Sequence, residues 1–381
     1  MAAATATAKP AAGSKPARAS GGVTLVTGGT GFLGAHLLRT LAAAPDRGAI
    51  RVLAHASPPP WLTELGVELV PGSVNTVADV DRALAGVDNV YHLAGMVSHK
   101  PEDAHRMYAV HVDGTRIVCG AAVRAGVRRI VMASTSGTVA VSRREDDIAD
   151  EETPTPIDII ARWPYYASKL YQEEAARRAC GDKVELVTLN PSLLLGPGDD
   201  RLSSTRPILQ FLARDIALLP AGGLSVVDAR DVAALMPVAM DRGKPGERYL
   251  VGAVNWTFAE FFGRLERLTK IAAPRMKISG DLPSLAARAQ AAVFRGLGRK
   301  VPVDPESVEM AQCFWYLDAG KAARDLGFEP RDPADTLRET VAYIRDHLLG
   351  RGAFGTSLEP SKGSNPPAAS AGGTSPPVPT R

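Results

Sequence analysis

The chain has 381 residues, more than one ordinary domain and within reach of a nucleotide-binding domain that carries a second lobe. Hydrophobic residues make up 45% and charged residues 22%, the mix of a globular protein with a sizeable core, which excludes a wholly disordered chain. Forty-four basic against 41 acidic residues leave a formal charge of +3, too small to call for a nucleic-acid partner or an anionic membrane surface.

Residues 1–20 are rich in Ala, Thr and Lys and hold no acid, the bias of an organellar transit peptide. They also lack an amphipathic pattern and contain Pro10 and Pro16, so they read as a disordered tail. From there short β-branched runs alternate with helical patterns, which predicts an α/β fold with a doubly wound parallel sheet. Strands are predicted at 23–27, 50–54, 67–70, 88–93, 129–133 and 184–189, mostly continuous apolar runs suited to burial on both faces. Helices are predicted at 32–44, 76–85, 103–125 and 165–179. After Leu189 the rhythm gives way to Pro and Gly (Pro191, Gly196, Pro197, Gly198), followed by mixed helices and short strands. A nucleotide-binding domain over 21–189 and a smaller substrate lobe over 190–351 are therefore expected, with a Pro-, Ser- and Gly-rich disordered tail over 352–381.

No stretch offers the roughly 18 consecutive apolar residues of a membrane span. Residues 282–301 carry an apolar face with Arg288, Arg295, Arg299 and Lys300 around it, read as a packed lobe helix in preference to a peripheral membrane contact. Cys119, Cys180 and Cys313 are far apart and form no C-x-x-C pair, which fits a reducing, cytoplasmic setting and suggests no metal site.

Three motifs carry chemistry. Thr27-Gly28-Gly29-Thr30-Gly31-Phe32-Leu33-Gly34 follows the first strand and opens the first helix. Glycines there let the backbone turn tightly and approach a pyrophosphate, whose charge then meets the positive end of the helix. Tyr165-Tyr166-Ala167-Ser168-Lys169 follows Pro164, a residue suited to the first turn of a helix. Residues four apart share a helix face, so the Tyr165 phenol and the Lys169 ammonium point into one pocket, where the cation lowers the phenol pKa. Ser134-Thr135-Ser136 lies at the carboxyl end of the fifth strand, where doubly wound sheets bind their ligands. A hydroxyl there can orient a substrate oxygen toward Tyr165, and the residues alone do not choose among the three.

With His92-Leu93-Ala94-Gly95, these motifs resemble the extended short-chain dehydrogenase/reductase superfamily in order and spacing over about residues 23–348. The chain is most similar to the branch of dihydroflavonol reductases, 3β-hydroxysteroid dehydrogenases and hopanoid-associated epimerase-like proteins. Asn190-Pro191-Ser192, Gly196-Pro197-Gly198-Asp199 and Asp228-Ala229-Arg230-Asp231-Val232 carry that likeness. The resemblance implies catalysis by Ser136, Tyr165 and Lys169, with Thr135 as runner-up to Ser136. It implies cofactor contacts from Thr27, Gly28, Thr30, Gly31, Phe32, Leu33, Gly34, Ala94, Gly95, Tyr165, Lys169, Pro191 and Ser192. His111 stands where the family pattern has Asn, and reads as a packed or solvent-facing helix residue in preference to a relay; Ser73 replaces an adenine-contacting Asp.

The second strand ends His55-Ala56-Ser57 with no acid to repel a 2′-phosphate, so NADP or NAD is the expected cofactor, with NADPH mildly favoured through His55. The expected activity interconverts a ketone and a secondary alcohol on a hydrophobic small molecule such as a steroid, an isoprenoid or an aromatic natural product. A sugar-nucleotide epimerase or dehydratase with tightly bound NAD is the alternative, and a dinucleotide-sensing protein without catalysis a third reading. A homodimer is expected, paired through the helices at 103–125 and 165–179.

Overall fold

The computed structural model describes residues 22–44, 48–55, 57–98, 100–216, 218–278 and 305–349. Both tails and the expected lobe helix at 282–301 lie outside the described residues.

Six strands in chain order, β1 (Val23–Thr27), β2 (Ile50–Ala54), β3 (Glu68–Pro71), β4 (Val87–His92), β5 (Arg129–Ala133) and β6 (Glu185–Pro191), build most of one sheet. Side chains alternate between the two faces of each strand. Val26, Val131 and Val187 accordingly join one core, while Leu25, Ile130, Met132 and Leu186 join the other. Helix α1 (Phe32–Ala43) covers the first face, and α2 (Val77–Leu84), α3 (Thr115–Ala125) and α4 (Pro164–Cys180) cover the second. Burial on both faces explains why β5 is buried throughout and why such strands read as apolar runs.

The chain then leaves this sheet through β7 (Leu193–Leu195), β8 (Leu219–Pro220) and β9 (Gly223–Asp228), and α5 (Ala229–Arg242) packs back against α1. The next strand, β10 (Arg248–Val251), pairs in parallel with β6 and completes a seven-stranded all-parallel sheet of order β10-β6-β5-β4-β1-β2-β3. This strand was not separately predicted: four residues are too few to show a period, and burial of Tyr249 and Leu250 places them. In the smaller sheet β9 pairs antiparallel with β11 (Val254–Thr257) and parallel with β7 and β13 (Phe314–Trp315), while β12 (Lys277–Ile278) pairs in parallel with β8. An aromatic core of Phe211, Trp256, Phe261 and Phe262 underlies it, closed by α6 (Phe258–Thr269) and α7 (Pro333–Tyr343).

Asp228 caps α5 and binds the Arg230 guanidinium at 2.9 and 2.7 Å, while Thr336 of α7 donates to it at 3.0 Å. Burial alone would raise its carboxyl, but the hydrogen bonds from Arg230 outweigh that and hold it below the usual range. No described helix is long and apolar enough to cross a membrane.

The helix predicted at 103–125 is a composite. A 3₁₀ turn (Pro101–Asp103) and a short α-helix (Ala104–Tyr108) lead into a π-helical turn (Ala109–Gly114) and then α3, which ends at Gly126 with φ +71°. Sequence periodicity cannot register one widened turn, and such turns often accompany functional sites. Of the other predicted elements β1, β2 and β5 keep their predicted bounds and the rest shift by one or two residues at an end, as β4 does in ending at His92 instead of Leu93.

Candidate functional site

Parallel pairing brings the carboxyl ends of the strands to one edge of the sheet, and the motifs collect there. The turn after β1 is tight: Gly28 has φ +72°, and a Cβ on it would lie 2.5 Å from the Leu93 carbonyl. A Cβ on Gly34 would lie 2.2 Å from the Gly28 oxygen, so only glycine lets α1 start this close to the turn. Gly31 caps α1 without a side chain, leaving the first-turn amides open to a phosphate from the turn side.

Thr27 anchors this turn from below. Its hydroxyl accepts the Ala94 amide at 3.3 Å and lies 2.7 Å from His92 Nδ1, tying the glycine turn to the segment that carries Ala94 and Gly95. His55 lies just beyond β2, beside β1, exposed together with Ser57. Pro191 ends β6, and the following Ser192 is buried with a hydroxyl that has no hydrogen-bond partner among the described residues. A glycine cradle, open helix amides and a buried orphan hydroxyl fit a dinucleotide, whose amide and phosphate groups supply the missing partners.

Pro164 starts α4, which sets Tyr165 half-buried in its first turn and Lys169 one turn further on. Tyr165 hydrogen-bonds the Thr135 side chain. Its phenol is nonetheless pushed up to about 12 by burial, which outweighs that bond. The reading in which Lys169 lowers the phenol is corrected here. The Lys169 ammonium is drawn to the Ala133 carbonyl at 3.1 Å and to Gln172 Oε1 at 2.9 Å, and desolvation dominates at the phenol. Lys169 itself is pushed down to about 8 by burial, against an upward pull from Glu173.

The three hydroxyls after β5 separate in space. Ser134 donates to Glu173 Oε1 at 2.5 Å, Thr135 meets Tyr165, and Ser136 is buried in a 3₁₀ turn (Ser136–Thr138). Glu173, itself buried, also accepts Thr138 and Asn190 and lies 3.6 Å from the Arg248 guanidinium.

His111 is fully buried, so of its two expected settings the packed one holds. Its Nε2 accepts the Met96 amide at 3.0 Å, which leaves the proton on Nδ1 to donate to Ser168 Oγ at 2.9 Å. Ser168 donates in turn to the Tyr165 carbonyl. Burial first, then the nearby Lys169, push this imidazole down to about 2, and it stays neutral. Sequence reasoning missed Gln172 and the buried His92. The fourfold spacing that singled out Tyr165 and Lys169 says nothing of a residue three positions on, and His92 entered only as part of a motif.

Residues 24–252 match the NAD dependent epimerase/dehydratase family. A Synechocystis protein named for dihydroflavonol 4-reductase is 32% identical over 84% of this chain and 94% of its own. Sterol demethylase protein B of Methylococcus capsulatus is 31% identical over 85% of this chain and 98% of its own. The fold is also that of the Thermus thermophilus UDP-glucose 4-epimerase solved with NAD, at TM-score 0.66 and 22% identity over 86% of this chain and all of that one.

Proposed function

Because the chain belongs to the NAD-dependent epimerase/dehydratase family, as an extended short-chain dehydrogenase/reductase, we propose that it interconverts a ketone and a secondary alcohol on a hydrophobic small molecule. The observation that carries this reading is the Tyr165 phenol, hydrogen-bonded to the Thr135 hydroxyl at the edge of the sheet where the strands' carboxyl ends gather. A neutral phenol can give its proton to the carbonyl oxygen in the reductive direction. Thr135 and Tyr165 together receive the substrate carbonyl oxygen, and Tyr165 gives it the proton that balances the incoming hydride. Thr135 thus takes the role that the resemblance first assigned to Ser136.

A reduced nicotinamide supplies the hydride when bound. The turn from Thr27 to Gly34 holds the pyrophosphate, Lys169 the nicotinamide ribose, and Ser192 the nicotinamide end. His55, with no acid beside it at the end of β2, favours NADPH over NADH. The hydrophobic substrate class is supported by the aromatic wall next to the acid. Tyr166 lies 5.0 Å from the Tyr165 ring and 4.8 Å from Trp315, which packs 5.6 Å from Trp163. The relatives named for a sterol and a flavonol compound point the same way. Two copies pair through α3 and α4, where Tyr171 is 55% exposed.

Purified protein offered NADPH or NADH with steroid, isoprenoid and aromatic ketones tests the reading. Consumption of reduced cofactor with formation of the alcohol is expected. Tightly bound NAD released on denaturation, with no consumption of added cofactor, would overturn it in favour of a sugar-nucleotide epimerase.

A further inference from the structure

Under the site runs a line of side chains that the reaction as written does not use. From β1, β4, α3 and α4 respectively, Thr27, His92, Thr115 and Gln172 are each 0% exposed, too deep for solvent to satisfy them. Their bonds are continuous. Thr27 Oγ1 lies 2.7 Å from His92 Nδ1, His92 Nε2 lies 2.8 Å from Thr115 Oγ1, and Gln172 Nε2 donates to Thr115 Oγ1 at 3.0 Å. Gln172 Oε1 accepts from Lys169 Nζ at 2.9 Å.

Donor chemistry fixes the orientation. An ammonium only donates, so the Gln172 oxygen must face Lys169 and its amide nitrogen must face Thr115. His92, pushed down to about 3 by burial and then by the charge of Lys169, is neutral and carries one N–H. Either tautomer completes the line, because each threonine hydroxyl can donate or accept.

We propose that Gln172 is a positioning residue that holds the Lys169 ammonium by its side-chain carbonyl and ties it, through Thr115 and His92, to Thr27 at the root of the glycine turn. Four charged or titratable groups surround the ammonium: Glu173 one turn on, itself facing Arg248, then Tyr165, His92 and His111. Of these, Glu173 alone favours the charged lysine. The Ala133 carbonyl and Gln172 Oε1 accept hydrogen bonds from it, and Gln172 is the acceptor whose chemistry can be changed without touching the backbone or the Ser134, Thr138 and Asn190 bonds to Glu173. The inference rests on the proposed function only for the use to which Lys169 is put.

The test is a ¹³C-NMR titration of the full chain with lysine labelled at Cε, the Lys169 signal being assigned by its loss in Lys169→Met. A hydrogen bond to the charged form favours that form, so Gln172→Met should lower the Lys169 midpoint by about half a pH unit or more, and Gln172→Glu should raise it. A merely structural glutamine would lower the melting temperature in both variants without shifts of opposite sign. Midpoints matching wild type in both variants overturn the proposal. Should Gln172→Met fail to fold, Gln172→Glu and Thr115→Val carry the test, the latter with a smaller downward shift; no shift in either overturns it equally. NADH affinity, read by nicotinamide fluorescence, separates the two claims. If Lys169→Met binds NADH as wild type does while the midpoint shifts appear, the assigned use of Lys169 fails and the positioning role stands.

Discussion

The Thr135 hydroxyl hydrogen-bonds the Tyr165 phenol, while the neighbouring Ser134 hydroxyl is spent on the buried Glu173. Two adjacent side chains after one strand therefore point to different partners, one to the phenol of α4 and one to a carboxylate buried in the scaffold.

If Tyr165 is the proton donor, Tyr165→Phe should leave cofactor binding nearly intact and lower turnover by about 100-fold or more. Thr135→Val should cost roughly tenfold or more, and Ser136→Ala clearly less. Steady-state rates with one accepted ketone check this ordering. A larger loss in Ser136→Ala than in Thr135→Val would return the substrate-orienting role to Ser136.

Cofactor choice should depend on His55, which stands exposed beyond β2 with no carboxylate next to it. The ratio of kcat/KM for NADPH over NADH should exceed one in the wild type and fall toward one in His55→Ala. A strong preference for NADH that the substitution leaves unchanged would sink this assignment.

Asp228 should be a stability determinant with a defined pH window. Its folded pKa is depressed by Arg230, so its contribution is complete above the ordinary carboxylate value and is lost as pH falls through the folded value. Asp228→Asn removes the buried carboxylate from Arg230, which keeps Glu339 at 2.6 Å, and should cost roughly 2 kcal/mol at neutral pH. Denaturant melts of both proteins should show the gap closing only in strong acid. A gap that stays constant down to about pH 2 would mean the loss is one of packing.

If two copies pair through α3 and α4, Tyr171, the exposed aromatic of α4, belongs to the interface. Light scattering should give a dimer for the wild type at micromolar concentration and a monomer for Tyr171→Asp, since an unpaired carboxylate in an apolar contact is costly. A wild-type monomer removes the proposal.

Much of this protein was legible in its residues. A glycine-rich turn between a strand and a helix, and Tyr165 four residues before Lys169 behind Pro164, are local patterns, and local geometry places them. Strand runs that are apolar throughout already imply a sheet covered on both faces, so the α/β architecture followed from periodicity. What depends on contacts between distant residues was not readable. Proximity to Tyr165 separates Thr135 from Ser134, although three hydroxyls in a row look alike in sequence. The direction in which that phenol's pKa moves is decided by what packs around it, burial outweighing the Thr135 hydrogen bond. The Met96 amide, 15 residues away along the chain, decides which nitrogen of His111 carries the proton. Joining β10 to β6 and threading Thr27, His92, Thr115 and Gln172 into one line needed the tertiary structure, because a buried polar atom takes its partner from whatever the packing brings beside it.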